Sequence, residues 1–409
     1  MWAGRVVRSW VAGCIVVGIL AGCSGVSALR DHEVEPEDAH LGDAVVAFFL
    51  SPQSVTFSHG STGYLVLVDA DGHYRVLLTE PMDVGRPVWT DDGLFFADSG
   101  HDYLLSDDGL SVVESVKPDY QNALLEIDGS MVGVYNHGFV GESGYRDVLV
   151  AHTAGRSTAT PLEGDFGVVA DCAGVLVGWT EIAGTIPEDA GLPELPETSE
   201  TVRSVLSRLW PGDQTVLGTH EEEGSAGTGV VAAPCLDGVV HVLGSRRVGA
   251  ADSTGGYGMA PVLLSWDTET GERISRDLVD HDGGRLDLST DEISSAQYGS
   301  ASVADGRLRW LAPSGGVFST ELATGVTTEL FDTGISLWDG RSASTLFTDD
   351  DLYVLASPTD ARGPLELQRF ALADGASDQV VSVEGIASVL SVHLVLRGVA
   401  VAPEVRGVR

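Results

Sequence analysis

The 409-residue chain carries 23 basic and 60 acidic residues, a formal charge of −37 at pH 7. A surface this negative opposes nucleic acid and anionic lipid headgroups and favours basic partners, although dispersed solubilising charge gives the same balance. Its only lysine is Lys117, so a P-loop lysine, a Ser-x-x-Lys pair or a Schiff-base lysine would have to fall there, and none of those motifs surrounds it.

At the N-terminus Arg5 and Arg8 precede an almost uncharged apolar run from Trp10 to Ala21. A helix needs roughly 20 apolar residues to cross the hydrocarbon core, so this shorter run reads as the apolar region of a signal peptide. The tetrapeptide Leu20-Ala21-Gly22-Cys23 that closes it resembles the lipobox of bacterial lipoproteins. The resemblance implies cleavage before Cys23, acylation of its thiol, and a lipid anchor in a membrane, with the chain facing the extracytoplasmic side. An ordinary secretory signal cut elsewhere is the alternative. Residues 1–22 are thus a signal peptide. Residues 23–40, with Glu33, Glu35, Pro36, Glu37 and Asp38, have the composition of a flexible acidic tether. Residues 41–409 form the folded domain.

Removing Cys14 with the signal and assigning Cys23 to lipid leaves Cys172 and Cys235, enough for one disulfide in an oxidising compartment. Each precedes the inner-hairpin glycine of consecutive units, Gly174 and Gly238, which predicts a bond across neighbouring units. Their registers differ by one residue, an offset that would point the thiols apart unless one turn carries a bulge. Two separate buried thiols are the alternative. Neither cysteine has the CxxC partner or spaced His pair of a zinc site.

From residue 41 onward, short runs of Val, Leu, Ile, Phe and Tyr alternate with turn residues, and nine Asp-Gly pairs mark hairpins. The best strand-turn-strand segments share a glycine at Gly72, Gly109, Gly155, Gly212, Gly271, Gly325 and Gly375, at intervals of about 37 to 59 residues. Such a period indicates an all-β fold, a β-propeller of seven four-stranded blades. One blade cannot bury both faces alone, so the ring must close, and residues 388–401 are apolar enough to pair with residues 44–75. A two-sheet sandwich or a pair of β domains is the alternative.

The segments Ala232-Ala233-Pro234-Cys235-Leu236-Asp237-Gly238-Val239-Val240 and Leu264-Ser265-Trp266-Asp267-Thr268-Glu269-Thr270-Gly271 resemble the PQQ-like propeller repeat. The resemblance implies either a quinone-dependent dehydrogenase or a non-catalytic envelope scaffold. Dehydrogenases of that kind use an adjacent cysteine pair near the quinone, and this chain has no Cys-Cys, so no cofactor is expected.

Other chemical motifs are incomplete, and no catalytic residue is assigned. Gly141-Glu142-Ser143-Gly144 is one residue short of a nucleophile elbow, and an all-β context lacks the strand-to-helix turn that motif needs. Asp69-Ala70-Asp71-Gly72 and Asp280-His281-Asp282-Gly283-Gly284 begin like calcium loops without the later ligands, so turn chemistry is the expected role and no metal is assigned.

One short helical insertion interrupts the repeat. Val202, Val205, Leu206 and Leu209 recur at helical spacing, Thr198 or Ser199 offers a cap, and Trp210-Pro211-Gly212 a stop. This apolar face either covers a blade edge or docks another envelope protein. The expected function is a membrane-anchored, non-catalytic binding or scaffold module of the envelope. An extracytoplasmic hydrolase, lyase or quinoprotein-like enzyme, with its site in the funnel, is the alternative.

Overall fold

The computed structural model describes residues 29–52, 62–139, 145–182, 202–222, 232–248, 258–338, 342–358, 363–390 and 394–406. It is a seven-bladed β-propeller of seven four-stranded antiparallel sheets. In chain order the blades occupy residues 44–79 (blade 1), 88–114 (2), 120–162 (3), 168–222 (4), 235–277 (5), 303–332 (6) and 343–383 (7). The ring closes as the apolar termini suggest: Leu394–Val401 is the innermost strand of blade 1 and pairs with Ala44–Pro52, with Val46 opposite Val401.

Hairpin chemistry sets the period. Six of the seven repeat glycines lie between the third and outer strands of successive blades and Gly109 opens the outer strand of blade 2; all take positive φ, from 71° at Gly271 to 126° at Gly109. Three inner hairpins place both turn residues at positive φ through Asp-Gly, as with Asp237 at 51° and Gly238 at 79°. That is the backbone of a type I′ turn, whose twist matches the flanking strands. In blade 5 the Thr268 N–H and hydroxyl both donate to the Gly238 carbonyl, at 2.9 and 2.8 Å, which docks the outer turn on the inner one. Blade 6 repeats the backbone contact from Leu322 to Gly306, at 2.9 Å.

Successive side chains of a strand point to opposite faces, and here both faces are covered. In the run Ala44–Pro52, Val46, Phe48 and Leu50 pack towards blade 7, while Ala47 and Phe49 pack towards blade 2. The core is therefore a ring of interfaces between blades, which explains why these strands read as continuous apolar runs.

Two expectations are corrected. Val202–Trp210 is the third strand of blade 4, not a helix. Leu206 is buried towards blade 5 and Leu209 towards blade 3, and Val205 is buried as well. Leu176 pairs with Trp210 and Val177 with Arg208, so Leu209 is the extra residue of a β-bulge. A strand buried on both faces and rephased by a bulge reproduces the spacing of an amphipathic helix. The α-helices among the described residues are three short ones, Thr290–Ser294 between blades 5 and 6, started by a Ser289–Glu292 capping box, and Ala387–Leu390 and Pro403–Arg406 on either side of the closing strand.

Residues 29–40 are not a free tether. Leu29 is fully buried, the Val34 N–H donates to the Val76 carbonyl at 3.0 Å, and the Val76 N–H donates to the His32 carbonyl at 2.9 Å. The segment covers the outer edge of blade 1, the place where unpaired strand groups would otherwise face solvent. Among the described residues no helix is long and apolar enough to cross a membrane.

Candidate functional site

The inner strands surround a central cavity of about 1010 Å³. Its lining combines an apolar wall, including Trp89, Leu124 and Phe347, with the carboxylates of Asp91, Asp92, Glu126, Asp171 and Asp349 and the guanidinium groups of Arg86 and Arg406. No histidine, cysteine or lysine lines it among the described residues. Arg406 Nη2 donates to the Trp89 carbonyl at 2.6 Å. Arg86 is placed by its backbone, whose N–H donates to Gln121 Oε1 at 2.8 Å, while its buried Nε has no hydrogen-bond partner. Burial lowers the pKa of both arginines, that of Arg86 to about 10. The lining thus offers donors, acceptors and an apolar surface, which are the means of holding a ligand.

A second concentration of chemistry lies between blades 2 and 3. Asp102, 1% exposed, accepts from Lys117 Nζ at 3.1 Å and from Ser157 Oγ at 2.5 Å. Lys117 Nζ also donates to the carbonyls of Ser115 and His101 at 2.6 and 3.1 Å. Burial lowers the pKa of Lys117, opposed by the Asp102 carboxylate. His152 Nδ1 is 2.9 Å from Ser157 Oγ, and burial lowers its pKa too. The composition is Ser, His and Asp, but the hydroxyl donates directly to the carboxylate. A nucleophilic triad places the imidazole between the two. The cluster is a structural tie. Nearby, fully buried Asp98 accepts from the backbone N–H groups of Glu80, Gly100 and His101 and from the Tyr103 hydroxyl.

A third buried group is Asp147, 1% exposed, in blade 3. Its Oδ2 accepts from the Phe166 N–H at 2.7 Å and from Asn122 Nδ2 at 3.1 Å, while Oδ1 has no partner. Burial, helped by the neighbouring Asp165 carboxylate, raises its pKa to about 7.

Of the residues singled out from sequence, Cys172 and Cys235 form a disulfide joining blades 4 and 5, with Cα atoms 5.3 Å apart. The register offset does not separate them, because Cys172 lies at its hairpin corner, beyond the strand Val168–Asp171, where strict alternation ends. Val205, Leu206 and Leu209 belong to the core and form no docking face. Asp69 and Asp280 are turn residues, each accepting two backbone N–H groups on Oδ1, at 2.8 to 2.9 Å. Cys23 and the segment Gly141-Glu142-Ser143-Gly144 lie outside the described residues.

Residues 39–159 match the family model described as the YycP β-propeller domain. That stretch spans three strands of blade 1, all of blade 2 and nearly all of blade 3, and it includes every member of the Lys117–Asp102 cluster. No curated protein matches the chain. Among solved structures, a Synechocystis apocarotenoid oxygenase mutant is 9% identical, with 86% of this chain and 91% of that one covered, at a TM-score of 0.46. An ACO/RPE65 chimera is also 9% identical, over 91% and 98%, at 0.49. The computationally designed Ika8 protein is 15% identical, over 83% and 87%, at 0.37. Likenesses this low bear on no activity.

Proposed function

We propose that the protein is a lipid-anchored, extracytoplasmic propeller that serves the cell envelope as a binding or scaffold module. The observation that carries the address is the Cys172–Cys235 disulfide, because such bonds persist in oxidising compartments and are rare in the cytosol. It agrees with the route implied by Leu20-Ala21-Gly22-Cys23, in which acyl chains on Cys23 provide the anchor. The binding role is supported by the make-up of the central cavity, and the docked turns of blades 5 and 6 suit a scaffold built from PQQ-like repeats.

Cell fractionation of wild type and Cys23→Ala, with mass analysis of the N-terminal peptide, tests the anchor. Wild type should sediment with membranes and carry acyl mass on residue 23, and the variant should be released. A variant that stays with membranes, beside a wild-type peptide without acyl mass, overturns the reading.

A further inference from the structure

One cation of the central cavity, Arg86, is in direct contact with no acceptor among the described residues. Two arginines line the cavity, Arg86 and Arg406. Arg406 donates to the Trp89 carbonyl, and Arg397, on the innermost strand of blade 1, donates to Asp83 Oδ1 at 3.3 Å and to the Pro52 carbonyl at 3.2 Å, so the side chain of each of these two has a partner even though its Nε does not. The Arg86 side chain makes no hydrogen bond and no ion pair with any described residue, although it lines the cavity and its Nε is buried. Its Nε is cut off from solvent without an acceptor, which is costly, while the partly exposed side chain leaves its other donors open to a ligand in the cavity.

The backbone holds this group in place. Gln121 fixes the Arg86 N–H, and the absence of a side chain at Gly398 makes room for its stem, since a Cβ there would come within 2.8 Å of Arg86 Cα and Cγ. We propose that the central cavity binds an organic monocarboxylate, with Arg86 receiving the carboxylate and the apolar wall receiving the rest of the molecule.

Charge selects the class. One guanidinium matches one negative charge, and a planar carboxylate fits its fork of donors. Asp91, Asp92, Glu126, Asp171 and Asp349 share the same cavity and disfavour a dianion such as a phosphate monoester, so the carboxylate must seat directly on Arg86. The walls contributed by Trp89, Leu124 and Phe347 favour an apolar body, and about 1010 Å³ is room enough for a ligand of that kind. The lowered pKa of Arg86, about 10, leaves the group cationic at neutral pH while making it more reactive than an ordinary arginine towards dicarbonyl reagents. This inference does not rest on the lipid anchor, so either can fail without the other.

The test uses the full-length protein in detergent, with 3-phenylpropanoate as the probe and 3-phenylpropanol and phenyl phosphate as its neutral and dianionic counterparts. Calorimetry should show saturable binding of the carboxylate, at least tenfold weaker binding of both counterparts, and at least tenfold loss of carboxylate affinity in Arg86→Gln. Arg156→Gln, at an exposed position on the outer strand of blade 3, should bind as wild type does. Phenylglyoxal labelling of wild type, read by peptide mass spectrometry, removes dependence on whether the Arg86 variant folds: saturating carboxylate should slow modification of Arg86 several-fold. Unchanged labelling of Arg86, equal affinity in a folded Arg86→Gln, or tighter binding of phenyl phosphate would overturn the proposal.

Discussion

Replacing Asp147 by Asn should make the protein more stable at alkaline pH and change it little in acid. The carboxyl is 1% exposed, and only its Oδ2 is satisfied, by Phe166 and Asn122. Burial first, and the Asp165 charge after it, raise its pKa from 3.8 to about 7. Because the folded value lies above the unfolded one, the folded chain binds more protons between those limits. The contribution to stability is full below pH 4 and is lost as pH rises through 7. At 1.36 kcal/mol per tenfold change in proton affinity, the complete loss is about 4 kcal/mol, of which roughly 2.5 falls between pH 5 and 8. Asparagine keeps an acceptor for the Phe166 N–H and offers an amide where the unpartnered oxygen stood, beside Asp165. Urea unfolding of both proteins at pH 5, 6, 7 and 8 isolates this residue and its coupling to Asp165, since titrating groups that do not interact with Asp147 cancel in the difference. The variant should gain on wild type by about 2.5 kcal/mol across that range, and a gap constant to within about 0.5 kcal/mol would refute the assignment of a neutralised buried carboxyl.

Lys117→Met should destabilise the protein by about 3–5 kcal/mol by leaving the Asp102 carboxylate buried without its cation, and adding Asp102→Asn should recover part of that loss. A loss below about 1 kcal/mol in urea titration would show that the pair is not the tie described. The Cys172–Cys235 bond closes a separation of 63 residues, so Cys172→Ser with Cys235→Ser should cost about 4 kcal/mol, and alkylation of the denatured, unreduced wild type should label neither thiol. Labelling of both would remove the disulfide and, with it, the chief support for an extracytoplasmic address.

Much of the fold is legible because its signals are local. An Asp-Gly pair needs only its own two residues to make a turn, and an apolar run such as Ala44–Leu50 announces burial on both faces wherever its neighbours come from. The helix expected around Val202 to Leu209 fails for the same reason: spacing alone cannot separate a helical stripe from a doubly buried strand carrying a bulge. The arginines Arg203 and Arg208 and the serines Ser204 and Ser207 fit the solvent face of a helix. In the blade, Arg203 and both serines are buried, and the chain pairs on either side with blade 4 strands. The docking of residues 29–40 was hidden by composition. Acidic residues there suggested a tether, while Leu29, His32 and Val34 do the packing.

The polar clusters are illegible for a different reason, since Asp102, Lys117, His152 and Ser157 meet only when blades 2 and 3 stack. One signal did exist: a single lysine in an arginine-rich cationic set is a compositional oddity. Its place in the ring gives the physical reason for it. Blade 1 meets its neighbours through two extensive apolar clusters, whereas the contact between blades 2 and 3 is divided into two small ones, around Phe95, Leu124 and Met131 and around Met82, Ala97, Tyr135 and Val150. A closed ring is only as secure as its weakest seam, because opening any one interface exposes two blade faces at once. The buried ion pair stands at that seam, where apolar burial is least able to hold the blades together. Arg86 lies beside the same seam, in the connection leading into blade 2, with its N–H fixed by Gln121 of blade 3. Ligand binding at Arg86 would therefore add a contact beside an interface where, among the described residues, two small apolar clusters are supplemented by a buried ion pair.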